Sequence, residues 1–386
     1  MKLSLSLILS SVLALEYNLN FKSFNLNLNP KKVNQPTIHK IIDTRQLVYP
    51  RAIQFDEETI EYLSEEQIVA LMALNVKFAD VTDEETFSSW DQPKAEPLPR
   101  SPVFQAQVRR LFAGLDKENV RENLKVFTAF HNRYYKSSHG RDSQQWLLNK
   151  ITEIASTSHL DIAISEFEHT WAQNSIIVKI AGQSSDKGAT VITAHLDSTA
   201  GFSPMNARAP GADDNGSGTM TILEAFRVLV NTPSFRPKRP IEFHWYAAEE
   251  AGLLGSQAVV QHYRKTGQQI YGVLHMDMTA YTGKQNVVGI VTDHTNNELT
   301  SLLRKLVGEY LNIPAVDTRC GYACSDHASW TKNGYRSTFP IESEFKNSNR
   351  NIHSARDTID APGYDFDHIY EFAKLAVAFA MEMSMQ

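Results

Sequence analysis

Cysteine is almost missing from this 386-residue chain, with Cys320 and Cys324 its only two. That excludes a disulfide-dense scaffold and the closed thiolate sites of structural zinc. Long apolar runs are missing too: no stretch reaches the roughly 18 residues of a membrane span, so no membrane partner is expected. There is no dense basic run, and 38 Lys+Arg against 44 Asp+Glu leave a formal net charge of -6, so nucleic acid is not an expected partner either. The HExxH signature of helix-borne single-zinc proteases does not occur. Glycine is absent between residues 15 and 100, a stretch punctuated instead by prolines.

What is present fits a soluble globular protein: 42% hydrophobic and 21% charged residues argue against both disorder and coiled coil. Met1 and Lys2 precede an apolar run from Leu3 to Ala14, and Val12 and Ala14 offer a small-residue cleavage site. This is the layout of a secretory signal peptide over 1–14, which predicts an extracellular protein. In an oxidising compartment Cys320 and Cys324 can form a disulfide closing a tight local loop, worth about 2 kcal/mol on the chain-entropy argument. Residues 15–100, ending in DQPKAEPLPRSP, show no chemistry and read as a pro-segment. Ser64 with Gln67 makes a capping box there, followed by Ile68, Leu71, Met72 and Val76 at helical spacing, so a small helical unit is expected.

From 101 to 386 helical stretches alternate with continuous apolar runs, the pattern of an α/β sheet covered on both faces. Strands are expected at Ser175–Ile180, Ala189–Ala194, Ile241–Ala247, Gly272–Met276 and Asn286–Thr292. Helices are expected at Thr219–Val230, Glu298–Leu311 and Asp365–Met383.

Ionisable residues follow directly on these strands. His195 and Asp197 follow one, Glu249 and Glu250 the next, and Asp277 a third, while Asp213 and Asp214 precede a helix. Ligands of open α/β sheets bind at the carboxyl ends of strands, so these side chains can meet in one crevice. His195 and Asp197 share a face of an extended segment, which lets the imidazole bind metal while the carboxylate orients it. A structural histidine or a helix-capping aspartate explains each motif taken singly. Adjacent Glu249 and Glu250 point in opposite senses, so one can coordinate while its neighbour moves a proton. With His353 the set is two imidazoles and several carboxylates. It suits zinc, and more than one bridging-capable carboxylate favours two cations about 3.5–4 Å apart.

The ordered set HLDST, PGADDNGSG, EEAGLLGS, LHMDMTAY, CGYACSDHASW and NIHSARDT resembles the secreted dizinc leucyl aminopeptidases of peptidase family M28, over essentially all of 101–386. The resemblance implies a three-layer α/β/α fold of the zinc-exopeptidase type with a central, mostly parallel mixed sheet. The family pattern puts the bridging aspartate three residues before a Ser-Gly pair, and Ser217 and Gly218 then select Asp214 over Asp213. It further implies Glu250 and His353 at one zinc, His195 and Asp277 at the other, and Glu249 as general base. Asp197 would orient His195, and Tyr322, held by the Cys320–Cys324 bridge, would stabilise the oxyanion. Met278, Phe339, Ile341, Phe345 and Ile352 are the expected receivers of a Leu-like side chain. Expected partners are peptides with a free N-terminus and the chain's own pro-segment, as inhibitor or folding aid, on a monomeric enzyme. A ligand-binding domain without catalysis, a glutaminyl-cyclase-like acyltransferase and a carboxypeptidase are the alternatives on this scaffold. Metal stoichiometry and a substrate with a blocked N-terminus separate them.

Three features depart from the pattern. Asn215 stands where some relatives carry aspartate and creates a sequon with Ser217, expected to be unmodified because a glycan would crowd the cleft. His275 and the Phe339–Ile341 segment also differ, which touches side-chain preference rather than the reaction.

Overall fold

Apolar runs with both faces buried form the centre of the sheet. The computed structural model describes residues 38–42, 49–56, 58–76, 78–83, 96–184 and 187–386. The expected leader at 1–14 lies outside them. The strands are β1 (Ile38–Ile42), β2 (Arg51–Gln54), β3 (Ile60–Leu63), β4 (Ala79–Asp80), β5 (Ile162–Glu168), β6 (Ser175–Ile180), β7 (Ala189–His195), β8 (Ile241–Tyr246), β9 (Ile270–His275), β10 (Val288–Val291), β11 (Ala315–Thr318) and β12 (Ser337–Ile341). Nine of them make one sheet in the order β1-β5-β6-β8-β7-β9-β12-β10-β11. The central run β8-β7-β9-β12 is parallel, with antiparallel pairs β5–β6, β6–β8 and β10–β12 around it.

The helices are α1 (Glu65–Ala73), α2 (Gln105–Phe112), α3 (Lys117–Ala129), α4 (Ser138–Ser156), α5 (Gly218–Val230), α6 (Leu254–Lys265), α7 (Asn297–Tyr310), α8 (His327–Lys332) and α9 (Phe366–Ser384). Ile192, Ala194, Phe243 and Trp245 point into a core shared with α3, α4, α5, α7 and α9. Val191, Tyr246 and Val273 point the other way, against Val259, Tyr263 and Trp330 of α6 and α8. Neighbouring residues of one strand thus serve opposite layers, which is why the central strands read as unbroken hydrophobic text. Polar N-caps start the outer helices: Asp116 for α3, Asn296 for α7 and Asp365 for α9 each accept backbone N–H groups of the first turn.

The expected α/β/α architecture is present, and the five expected strands and three expected helices lie within a few residues of their anticipated ends. The structure adds helices α2 to α4 and strands β5, β11 and β12, of which β11 is half exposed along its length, so no apolar run marks it. The 15–100 region is a correction in kind. The Ser64 capping box starts α1 as expected, but a three-stranded antiparallel sheet, β3-β2-β4, accompanies the helix, and β1 pairs with β5 in the main sheet.

This small unit sits over the turn that follows β8. Ile53, Leu63, Ile68, Leu71 and Met72 pack with Tyr134, Tyr135, Ala248, Ala251 and Leu254. Asp80 N–H donates to the Gly252 carbonyl at 3.2 Å, and Gln257 Nε2 to the Asp80 carbonyl at 2.7 Å. Gly252 has φ 97°, and a Cβ there would stand 2.6 Å from Asp80 N, so both the turn and the contact require glycine. Residues 96–100 behave differently from 49–83. Glu96 forms a bidentate pair with Arg239 at 2.8 Å, and Leu98 is buried in the main core, so this stretch is bound to the main body of the protein.

Candidate metal centre

In-register parallel strands end together, and that carries distant residues to one place. His195 is paired with Tyr246, and Thr193 with His275, so the residues following β7, β8 and β9 emerge side by side. The chain takes left-handed backbone at Ala248 (φ 56°), Met278 (φ 52°) and His353 (φ 54°), next to or at the ionisable residues. Such conformations are held by their surroundings and concentrate at functional sites.

Asp214 lies between the two imidazoles. Its Oδ1 is 3.2 Å from His195 Nε2 and its Oδ2 is 3.2 Å from His353 Nε2. Asp277 Oδ1 is 3.4 Å from His195 Nε2, and Glu250 Oε2 is 2.8 Å from His353 Nε2. Ligand atoms of His195, Glu249 and Asp277 lie within 4.8 Å of one another, as do those of Asp214, Glu250 and His353. Glu249 Oε2 stands 4.0 Å from His195 Nε2, so the residue expected to act as base reaches the same point as two expected ligands.

The donor set fits metal. His195 Nε2, Glu250 Oε1 and Asp277 Oδ1 are buried with no hydrogen-bond partner, and neutral or anionic donors left bare in an interior are what a cation satisfies. Burial would lower both histidines, yet the carboxylates around them, led by Asp277 for His195 and Glu250 for His353, raise them well above the ordinary range. Burial pushes Glu249 well up and Glu250 to about 7. Burial would also raise Asp214, but His195 and His353 hold it low. Crowded carboxylates without a cation resist ionising, the electrostatic counterpart of a metal requirement.

A second set of groups aims these side chains. Asp197 accepts at Oδ1 from the N–H of Glu249 (3.1 Å) and at Oδ2 from that of Glu250 (3.2 Å), and its Oδ1 lies 3.3 Å from His195 Nδ1. Ser325 Oγ donates to Asp277 Oδ2 at 2.7 Å and is 2.7 Å from His275 Nε2. Asp357 accepts the N–H groups of Asp213 and Asp214. Asp213 itself turns away from the imidazoles to accept from Ala280 N–H and Asn349 Nδ2.

Beside the metal-ligand groups is a cavity of about 530 Å³. All five expected pocket residues, Met278, Phe339, Ile341, Phe345 and Ile352, line it together with Tyr322, and they form one apolar cluster. The Cys320–Cys324 disulfide is formed, and Asp293 accepts the N–H groups of Cys320 and Gly321, fixing the loop that presents Tyr322. Burial raises the Tyr322 phenol far above its ordinary value, so it remains a donor. Met72, Asn75, Val76 and Phe78 of the N-terminal unit line the same cavity.

Residues 175–380 match the profile of peptidase family M28. The chain belongs to that family. It groups with metallo-aminopeptidases of the leucyl type: it is 43% identical to leucine aminopeptidase 1 of Coccidioides posadasii over 347 residues, 86% of this chain and 88% of that protein. It is also similar to the Legionella pneumophila LapA aminopeptidase, at 30% identity and a TM-score of 0.76, over 88% of this chain and 96% of that one. The Porphyromonas gingivalis glutaminyl cyclase shares the fold at 17% identity and a TM-score of 0.56, covering 70% of this chain and 99% of that one. The M28 scaffold by itself therefore does not select a reaction; side chains do.

Two of the departures from the M28 pattern, Asn215 and His275, have a structural reading. Asn215 is fully buried, donating from Nδ2 to the Met276 carbonyl (2.9 Å) and accepting at Oδ1 from Gly218 N–H (2.9 Å). Its amide is committed inside the protein. His275 lies between Thr193 Oγ1 (2.9 Å) and Ser325, below the cavity rather than in it. Sequence reasoning did not find Ser325, Asp357, Asn349 or Arg133. Ser325 and Asp357 lie in quoted motifs without a feature that separates them from their neighbours, and Asn349 and Arg133 lie outside every motif.

Proposed function

We propose that this M28 enzyme is a secreted, monomeric dizinc aminopeptidase that removes Leu and other hydrophobic residues from the N-termini of peptides. The observation that carries this is Asp214 with one oxygen toward each of two imidazole-carboxylate groups, at the edge of an apolar cavity. His195 and Asp277 would hold one zinc, Glu250 and His353 the other, and Asp214 both. Zinc supplies Lewis acidity toward the scissile carbonyl and brings the pKa of water near 7.

The chain's own residues do the rest. Glu249, partly buried and held by Asp197 through its backbone, accepts the proton of the attacking water and passes it to the leaving amine. Water adds to the carbonyl carbon, the C–N bond breaks, and a free amino acid and a shortened peptide leave. The Tyr322 phenol donates to the developing oxyanion. Met278, Phe339, Ile341, Phe345 and Ile352 receive the side chain of the first residue, and the acidic end of the pocket receives its free amine. The stretch from 15 to about 95 acts as a pro-segment that restrains the enzyme, a reading supported by Met72, Val76 and Phe78 lining the same cavity as Glu249, while 96–100 belong with the main core.

Elemental analysis of the purified chain, combined with leucine p-nitroanilide hydrolysis with and without a chelator, tests the proposal. Two zincs per chain and chelator-sensitive release of p-nitroaniline are expected. Cleavage of N-acetylated peptides from their carboxyl end, or cyclisation of N-terminal glutamine in its place, would overturn it.

A further inference from the structure

Arg133 belongs to no motif, yet it is fully buried behind the metal-ligand loops. A guanidinium offers five N–H donors in a rigid plane and accepts nothing. Here Nε donates to the Leu196 carbonyl at 2.9 Å, Nη2 to the Gly211 carbonyl at 2.8 Å, and Nη1 to the Pro210 carbonyl. Leu196 stands between His195 and Asp197, while Pro210 and Gly211 open the loop that carries Asp214. Backbone bonds tighten the junction: Arg133 N–H donates to Ser198 Oγ at 3.1 Å, and its carbonyl accepts from Gln173 Nε2 at 3.0 Å. Gly211 has φ 51°, and a Cβ there would lie 2.8 Å from Arg133 Nη2, so this approach requires glycine.

Among the described residues no carboxylate forms an ion pair with Arg133; neutral carbonyls take its protons and the Phe127 ring lies 4.3 Å from its centre. A buried cation without a counter-ion is costly. The acidic centre offsets that cost. Burial lowers Arg133 to about 10, and Asp357, Asp197, Asp214 and Glu250 act against it.

We infer that Arg133 is a positioning residue for the metal centre: it locks the Asp214 loop onto the His195–Asp197 segment and holds a fixed positive charge behind the carboxylates. The fork matters because a lysine, with a single ammonium on a flexible stem, cannot span both segments. The charge matters because Arg133 faces a crowd of carboxylates, Asp357, Asp197, Asp214 and Glu250, from behind.

The inference rests on the zinc reading of the site, and the test separates the two. Zinc affinity of the full chain is measured by competition with a chromophoric chelator, for the parent, Arg133→Lys and Arg133→Met, alongside the melting temperature of each metal-free protein. A parent that binds no zinc sinks the metal reading itself. Given binding by the parent, both variants are expected to lose about 10–100-fold in zinc affinity. Metal-free Arg133→Met is expected to melt below metal-free Arg133→Lys, which keeps the charge. Zinc affinity equal to the parent in Arg133→Lys overturns the positioning role, because a merely structural arginine would move melting temperature alone. Equal melting of the two metal-free variants overturns the role of charge. If Arg133→Met does not fold, Arg133→Lys carries the affinity test alone.

Discussion

The carboxylate of Asp197 accepts the backbone N–H of Glu249 at 3.1 Å, from a residue 52 positions later in the chain. Through this bond the segment after β7 aims the turn after β8, while the same carboxylate faces His195. One acid thus orients an expected ligand and an expected base. Asp197→Asn is expected to weaken zinc binding by about 10–100-fold, with the fold retained, because an amide presents a donor toward one of these N–H groups. Chelator competition and circular dichroism check both halves.

Glu249→Gln preserves shape and removes the proposed proton acceptor. Turnover on leucine p-nitroanilide is expected to fall by about 10²–10⁴-fold while zinc content stays near that of the parent. Zinc loss in step with activity would make Glu249 a ligand, a role its position beside His195 and Asp277 makes testable.

Asp214→Ala removes the one carboxylate shared by the two histidines. Metal content by elemental analysis is expected to drop on both sides, to less than one zinc per chain after dialysis. Full occupancy in this variant would mean that the two groups bind independently.

Acid stability has a contribution remote from the candidate metal centre. Burial would raise Glu242, but His244, Lys179 and Tyr263 bring it down to about 2 from an ordinary 4.5. Its stabilisation is present above pH 4.5 and is lost as pH falls toward 2. His244 is lowered by burial, so below pH 6.5 the unfolded chain takes up its proton first and stability declines in the same direction. Glu242→Gln is expected to flatten the fall in urea-unfolding free energy between pH 4.5 and pH 2. An unchanged slope would contradict the assignment.

The N-terminal unit packs on the turn that carries Glu249, and its Met72, Asn75, Val76 and Phe78 line the cavity beside the metal-ligand groups. Limited proteolysis that releases this unit from the full chain is expected to raise turnover, with KM falling as the cavity opens. Residues 96–100 are expected to stay with the enzyme, held by Arg239 and by the burial of Leu98. N-terminal sequencing of the activated product checks that retention.

Much of the layout was legible in the chain itself. Buried parallel strands must be apolar on both faces, so Ile241–Tyr246 and Ala189–His195 stand out as text, and the imidazole and acids placed at or just beyond their last residues mark the carboxyl ends. Half-exposed β11 gave no comparable signal, since no buried apolar run marks it. The strands of the N-terminal unit were illegible for a related reason: each is only two to four residues long.

The order of residues along the chain determined which groups carry the chemistry, because strand ends, turns and capping residues obey local rules. Tertiary structure alone decided how those groups meet. The facing of Asp214 toward both histidines, the reach of Glu249 to the same point as His195, and the seat of Arg133 behind them all depend on strand register and on loops closing from opposite sides. Such contacts span tens to hundreds of residues, and no spacing in the sequence encodes a distance in space.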